Sequence, residues 1–153
     1  MAAEAAIRKA VAADIAAIDA ITQAAYEIYI DRIGKPPEPM GLDVSGQIAQ
    51  GEIHVLETGD GIAGYIITYQ QGGSQLIENI AVAPQFQGQG LGARLMQFAE
   101  QEAKRNSLSQ LSLYTNVAMT ENLGYYSRLG YKEYKRALHK GFERAFFEKR
   151  LLS

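Results

Sequence analysis

Three glycines at alternate positions, Gly88, Gly90 and Gly92, lie inside the run Leu76–Arg94, LIENIAVAPQFQGQGLGAR. Before them, Leu76–Val82 is short, apolar and partly β-branched, bounded by Gly72-Gly73-Ser74 and by Pro84, which is the pattern of a buried strand. From Leu91 onward, Leu91, Leu95 and Phe98 recur at helical spacing, with Met96, Ala99 and Ala103 widening the stripe. Strand, glycine turn and helix together make an anion site. Glycine lets a ligand approach the backbone closely and lets φ turn positive. Successive amides then point at one spot, at the positive end of the following helix. A phosphorylated cofactor is the natural guest.

Two common phosphate motifs do not fit. A Walker loop ends Gly-Lys-Ser/Thr, and this loop continues Gly92-Ala93-Arg94. The dinucleotide fingerprint G-x-G-x-x-G needs its third glycine one residue later, and it belongs in the first strand–helix unit of a chain. What is present is Gln87-Gly88-Gln89-Gly90-Leu91-Gly92, after a strand ending Ile80-Ala81-Val82-Ala83-Pro84.

The elements that must position this loop are readable along the chain. Its 153 residues suit one domain, residues 1–153, with room for a core. Net charge is −2, which argues against a broad nucleic-acid or membrane surface. There is no cysteine, hence no disulfide, thiolate metal site or cysteine nucleophile. Glu4, Arg8 and Lys9 interrupt any signal-peptide core, and no apolar run reaches the ~20 residues that span a bilayer. A cytoplasmic enzyme or binding module is the default. Ala6–Ala10 reads as a short edge strand and Asp14–Ala25 as a helix, with Asp14 suited to the dipole of its first turn. Tyr26, Tyr29, Ile30 and Ile33 continue the helical pattern until Gly34 and three prolines stop it. Val44–Gln50 adds a short helix closed by Gly51. Ile53–Thr58 and Ile62–Tyr69 are strands joined by Gly59-Asp60-Gly61. After the Leu91–Asn106 helix, Leu108–Tyr114 alternates as a fifth strand. A helix over Thr120–Leu129 ends at Gly130, and Tyr131–Leu138 with Phe142–Leu151 closes the chain as a hairpin around Lys140-Gly141. His54 and His139 fall on different elements and form no metal cluster.

The string Gln87–Gly92, with its strand and helix, resembles the GNAT family of acetyl-CoA-dependent N-acetyltransferases, and the order of elements resembles that fold over the whole chain. The resemblance implies a mixed, mostly antiparallel α/β sheet of about seven strands, with helices on both faces and a splay between strands four and five. It implies acetyl-CoA as cosubstrate and no metal. It implies that the pantetheine pairs with the backbone of Ile80, Ala81 and Val82 as an added strand. The pyrophosphate then sits on the amides of Gln87, Gly88, Gln89, Gly90, Leu91 and Gly92, with Ala93 closing the cofactor-binding set.

A second constellation supports the resemblance. Tyr126, Gly130 and Tyr131 match the tyrosine of the family's last helix and the glycine–aromatic pair after it. The resemblance makes Tyr126 the acid that protonates the departing thiolate, whereas Met119, Tyr126 and Leu129 also suit the buried stripe of an amphipathic helix. The family's usual asparagine, before this tyrosine, is Met119 here; Asn116 and Asn122 lie nearby and either could substitute. For the general base, Glu78 matches a carboxylate four residues before the valine of the A-V-x-P segment. Alternation puts it on one face with Ile80 and Val82. A structural or solvated carboxylate fits Glu78 equally. The fifth-strand glutamate of members that act on protein N-termini is replaced by Tyr114.

The expected reaction is direct transfer of acetyl to a primary amine of a small molecule or amino-acid derivative. A peptide or protein amine is the alternative, as is a non-catalytic acyl-CoA sensor that keeps only the glycine loop. The resemblance puts the acceptor pocket on the first helices and the closing hairpin, here Tyr26, Tyr29, Asp31, Arg32, Glu38 and Met40, then Tyr134, Arg136 and His139. Tyrosines with carboxylates suit a cationic amine, and the same residues also suit a solvated rim. The strand Phe142–Leu151, with Phe146, Phe147 and Leu151, could pair across a homodimer.

Overall fold

The computed structural model describes residues 5–151, so Glu4 lies outside the described residues. The strands are β1 Ala5–Lys9, β2 Ile53–Thr58, β3 Gly61–Gln71, β4 Ser74–Val82, β5 Gln110–Asn116, β6 Lys132–His139 and β7 Phe142–Arg150. The helices are α1 Ile15–Tyr26, α2 Ile30–Ile33, α3 Ser45–Ala49, α4 Leu91–Arg105 and α5 Thr120–Arg128. The strands hydrogen-bond in the order β1-β2-β3-β4-β5-β7-β6. β1 with β2, β2 with β3, β5 with β7 and β6 with β7 are antiparallel. β4 and β5 run parallel, and their pairing covers Gln75–Ile77 against Leu111–Leu113. This is the mixed sheet expected from the sequence, and β4 continues to Val82 past its last pairing with β5.

The chain forms two compact units. One holds the residues up to Thr68 with Asn79–Phe98; the other holds Tyr69–Glu78 with the chain from Ala99 on. The core of the first is Ala10, Ile18, Ile21, Val44, Ile53, Val55, Tyr65, Ile67, Ala81 and Ala83. Helix α1 turns Ile18, Ile21 and Thr22 inward, as its period requires. Its pattern continues through a 3-10 turn at Glu27–Tyr29 into α2, which Gly34 ends at φ +87°. Gly64 is buried in β3 with Ala81 O only 2.7 Å from where a Cβ would stand, so the first unit admits no side chain there.

In the second unit, Leu111, Leu113, Ala145 and Phe147 are buried on alternate positions of β5 and β7. The fifth strand starts at Gln110 rather than Leu108. Leu108 N–H is taken by Ala103 O (2.8 Å) and Ser107 N–H by Lys104 O (3.0 Å), with Ser107 at φ +58°, so these residues belong to the end of α4. The end of α5 is built alike. Tyr131 N–H bonds Tyr126 O (3.0 Å) and Gly130 N–H bonds Ser127 O (3.1 Å), with Gly130 at φ +95°. The closing hairpin turns on Lys140 and Gly141, both at positive φ, as a two-residue turn matched to strand twist demands. Both edges of β7 are paired, one with β5 and one with β6. The sequence-based expectation that the Phe142–Leu151 strand pairs across a dimer is therefore corrected: its backbone groups are already used, and the outer strand is β6.

Asp14 ties β1 to α1. It is 6 % exposed, accepts from Arg8 Nη1 (2.8 Å) and Nη2 (3.0 Å), and accepts from Val11 N–H (2.8 Å). The Arg8 guanidinium, helped by the Val11 amide and opposed by burial, holds the Asp14 carboxyl below its usual value. A lowered folded-state value means the stabilisation is complete above the unfolded value of ~4 and is lost as pH falls through the folded one. Asp14→Asn is expected to cost about 1–3 kcal/mol at neutral pH. The gap to wild type, read by urea denaturation, stays constant from pH 8 to about 5 and closes as the pH falls below ~4.

Candidate active site

After β4 a 3-10 turn, Pro84–Phe86, leads into the glycine loop. Gly88 (φ +84°) and Gly90 (φ +76°) take the left-handed conformations that let successive amides face one way. No other group comes within 4 Å of a Cβ at either position, so glycine is required there by conformation and the space beside the loop is open. Helix α4 starts at Leu91, and its first turn closes with Arg94 N–H on Gly90 O (3.2 Å). The third glycine therefore stands in the helix rather than in the loop. Leu91, Gly92 and Ala93 are the amides that a helix start leaves without intrahelical partners. Gln87, Gly88, Gln89 and Gly90 are exposed. The Gln87 N–H is spent on Pro84 O (3.2 Å), which leaves the amides from Gly88 to Ala93, at the positive end of a 15-residue helix, to fit a pyrophosphate.

Beyond Ile77, side chains serve backbone groups of β4. Asn79 Oδ1 accepts from Ile80 N–H (3.0 Å), Tyr26 Oη lies 3.2 Å from Ile80 O, and Gln87 Nε2 donates to Val82 O (3.2 Å). Asn79 is 7 % exposed and anchors a chain of hydrogen bonds. Its Nδ2 donates to Tyr65 Oη (2.7 Å), Tyr65 Oη lies 2.6 Å from Thr22 Oγ1, and Thr22 Oγ1 donates to Ile18 O (2.9 Å). Tyr26 Oη also reaches Asn79 Oδ1. The stretch Ile80, Ala81 and Val82, expected to pair with pantetheine, thus carries side-chain partners on two carbonyls and one amide. Sequence reading passed over Asn79, although a polar residue at a buried strand position beside Glu78 was the available signal.

Glu78 is half-buried and accepts from Tyr69 Oη (2.6 Å). It alternates with the buried Ile77 and Asn79 and shares its face with Ile80 and Val82, as alternation predicts. It lines a cavity of about 290 Å³, together with Tyr69, Tyr114, Tyr134, Lys135, His139 and their neighbours, all within the second unit. Of the acceptor residues read from the sequence on the hairpin, Tyr134 and His139 line this cavity. Arg136 is exposed and paired with Glu133 (2.8 Å). The reason is a bulge. Glu133 pairs with Phe147 and Lys135 with Phe146, so Tyr134 is the extra residue and alternation changes phase after it. Of the first-helix residues, Tyr29 is buried and carries Arg32 over its ring at 5.0 Å, and Met40 O accepts from Gln23 Nε2 (3.5 Å).

Tyr126 is 7 % exposed in α5, with the rings of Tyr125, Phe147 and Tyr131 at 5.4, 5.9 and 6.1 Å. Burial, and next Tyr125, push its hydroxyl well above the usual phenol value, which keeps it neutral and makes it a weaker acid than an exposed tyrosine. Met119 is buried, at 4.0 Å from Thr115 Oγ1. Asn116 Oδ1 is spent on Ala118 N–H (2.9 Å) and Asn122 Nδ2 lies 3.3 Å from Thr115 Oγ1, so both asparagines shape the strand-to-helix turn. His54 stacks on Phe98 with ring centroids 4.5 Å apart. Among the described residues no group of three or more His, Asp or Glu side chains could hold a metal ion, and no helix is long and apolar enough to cross a membrane.

A family model described as an acetyltransferase (GNAT) domain matches residues 49–133, more than half of the chain. The chain belongs to the GNAT acetyltransferase family. Membership makes it an acyltransferase with acetyl-CoA as cosubstrate. The GNAT fold is found in its structural neighbours. The PaiA N-acetyltransferase of Thermoplasma acidophilum, in complex with coenzyme A, superposes with a TM-score of 0.78 at 14% identity, over 96% of this chain and 99% of that one. A GNAT-family acetyltransferase of Listeria monocytogenes gives 0.75 at 18%, over 99% of each chain. The N-acetylglutamate synthase of Neisseria gonorrhoeae, complexed with coenzyme A and N-acetyl-glutamate, gives 0.74 at 18%, over 100% of this chain and 36% of that one. No curated protein matches the sequence significantly.

Asn79 holds three groups at once. Asn79→Ala takes one partner each from Tyr65 Oη and Tyr26 Oη and removes the side-chain acceptor of Ile80 N–H, and is expected to cost about 2–4 kcal/mol in urea denaturation, against about 1 kcal/mol for Tyr26→Phe.

Proposed function

We propose that this GNAT protein is an N-acetyltransferase that moves acetyl from acetyl-CoA directly to a primary amine of a small molecule or amino-acid derivative. The observation that carries the reading is Glu78, a strand carboxylate held by Tyr69 in the wall of a cavity of about 290 Å³. That volume suits a small molecule better than a peptide segment. An aqueous amine is mostly protonated near neutral pH and needs a base before it can attack. Acetyl-CoA, when bound, supplies an activated acetyl thioester.

In this reading Glu78, through a water, takes the proton from the acceptor ammonium, and the freed nitrogen attacks the thioester carbonyl. The Val82 N–H steadies the oxygen as charge builds on it. Tyr126, a neutral phenol at this pH, gives its proton to the departing sulfur and takes up the one that the new amide nitrogen sheds. The amides from Gly88 to Ala93 bind the pyrophosphate, with Gln87 held beside them by its bond to Pro84 O, and Ile80–Val82 bind the pantetheine arm. For that arm to pair, Tyr26 and Gln87 yield the carbonyls of Ile80 and Val82. Residues 1–153 act as one acetyltransferase domain in this proposal, in the cytoplasm. A peptide or protein amine remains the second reading, favoured by the open side of the cavity where Tyr134 is 51% exposed.

Titration calorimetry with acetyl-CoA tests the cofactor site. Wild type is expected to bind with micromolar affinity, and Gly90→Glu, which places a bulky anion at φ +76° in the amide run, is expected to lose at least about tenfold. Failure of folded wild type to bind would overturn the reading. Tyr126→Phe is expected to lower kcat by about 10²-fold in a thiol-release assay, with acetyl-CoA affinity and melting temperature retained. Unchanged kcat would remove Tyr126 from the chemistry.

A further inference from the structure

The wall of the cavity is asymmetric in charge. It holds one carboxylate, Glu78, on β4, and two ammonium groups, Lys135 and Lys140, with the His139 imidazole, on the closing hairpin. Lys135 is there only because of the bulge at Tyr134, which turns its side chain to the face of Phe146. Its Nζ stands 4.7 Å from the Phe146 ring centroid and 5.9 Å from that of Tyr134. Aromatic faces hold an ammonium in place without neutralising it. A further cation backs the same wall. Arg144, 6 % exposed, lies over the Tyr114 ring at 4.5 Å, and Tyr114 lines the cavity.

We infer that the acceptor is an amine that also carries a carboxylate, bound amine end to Glu78 and carboxylate end to Lys135 and Lys140, with an apolar or aromatic body against Tyr69, Tyr114 and Phe146. This deepens the acetyltransferase reading and rests on it. A carboxylate gains charge-assisted hydrogen bonds from the hairpin lysines. The second ammonium of a diamine would meet those lysines and be repelled, so a polyamine is selected against by the same groups that select the acid. The volume, about 290 Å³, sits at the low end of small-molecule sites and suits a single amino acid. The tyrosines and carboxylates in the sequence suggested a cationic amine. The bulge replaces Arg136 by Lys135 on this face, and among the described residues Glu78 is the one acidic side chain in the lining.

The test compares matched acceptors that differ only in the carboxylate: L-tyrosine against tyramine, and L-phenylalanine against phenethylamine. Thiol release with acetyl-CoA is expected to show a kcat/KM preference of about tenfold or more for the acid in each pair, and Lys135→Glu is expected to erase or reverse it. The ratio within each pair cancels the acceptors' own amine basicity when wild type and variant are compared. Lys135 is exposed, so an unchanged melting temperature for Lys135→Glu checks that folding is intact. Preference for the decarboxylated member, a ratio that Lys135→Glu leaves unchanged, or neither turnover nor binding of any member of the pairs would overturn the inference. The same pairs are read by ligand-observed NMR without acetyl-CoA. A protein that binds the acids but not acetyl-CoA would uphold the charge selection and sink the transferase reading; one that binds acetyl-CoA but prefers the amines would do the reverse.

Discussion

Buried backbone amides and carbonyls must find partners, and β4 outruns its strand neighbour. Its pairing with β5 stops at Ile77, while the strand continues to Val82. Three of the groups beyond, Ile80 N–H, Ile80 O and Val82 O, are met by side chains from three segments: Asn79 from the strand itself, Tyr26 from the end of α1, and Gln87 from the glycine loop. A single requirement of hydrogen-bond satisfaction therefore joins the first helix, the strand and the loop. It explains why an asparagine sits at a buried position of β4 and why α1 ends in a tyrosine. These side-chain bonds are weaker and more readily exchanged than a ladder, which is what a strand edge that receives a ligand requires.

The chemistry assigned to Tyr126 is tied to how α5 ends. The left-handed Gly130 folds the chain back so that Tyr131 N–H caps Tyr126 O, and the two rings meet at 6.1 Å. Those rings, with Tyr125 and Phe147, remove water from around the hydroxyl. The same packing that secures the helix end thereby raises the pKa of the phenol. The glycine–aromatic pair after the tyrosine is thus a cap first, and through the cap a control on acidity.

Elements carried by local chemistry were legible in the sequence. Gly59–Gly61 and Lys140-Gly141 specify their turns, the period of α4 specifies its buried face, and the loop Gln87–Gly92 identified the family. What was not legible depends on tertiary pairing. The bulge at Tyr134 arises from the register of β6 on β7, and it moves Lys135 rather than Arg136 into the cavity wall. Leu108 looked like strand because it is apolar, and it is spent on capping α4. Asn79 has no local signature, because its partners Tyr65, Thr22 and Tyr26 come from other elements.

The two compact units are interleaved along the chain, with crossings at Thr68/Tyr69, Glu78/Asn79 and Phe98/Ala99. Each crossing falls inside a hydrogen-bonded element, β3, β4 or α4. During synthesis the first unit has all its residues once Phe98 has left the ribosome. The segment Tyr69–Glu78 must then wait for β5, β6 and β7. Until they arrive, the Gln75–Ile77 edge is an unpaired template in a nascent chain. The order of emergence therefore sets how long this edge stays open to another chain, well before any acceptor is met.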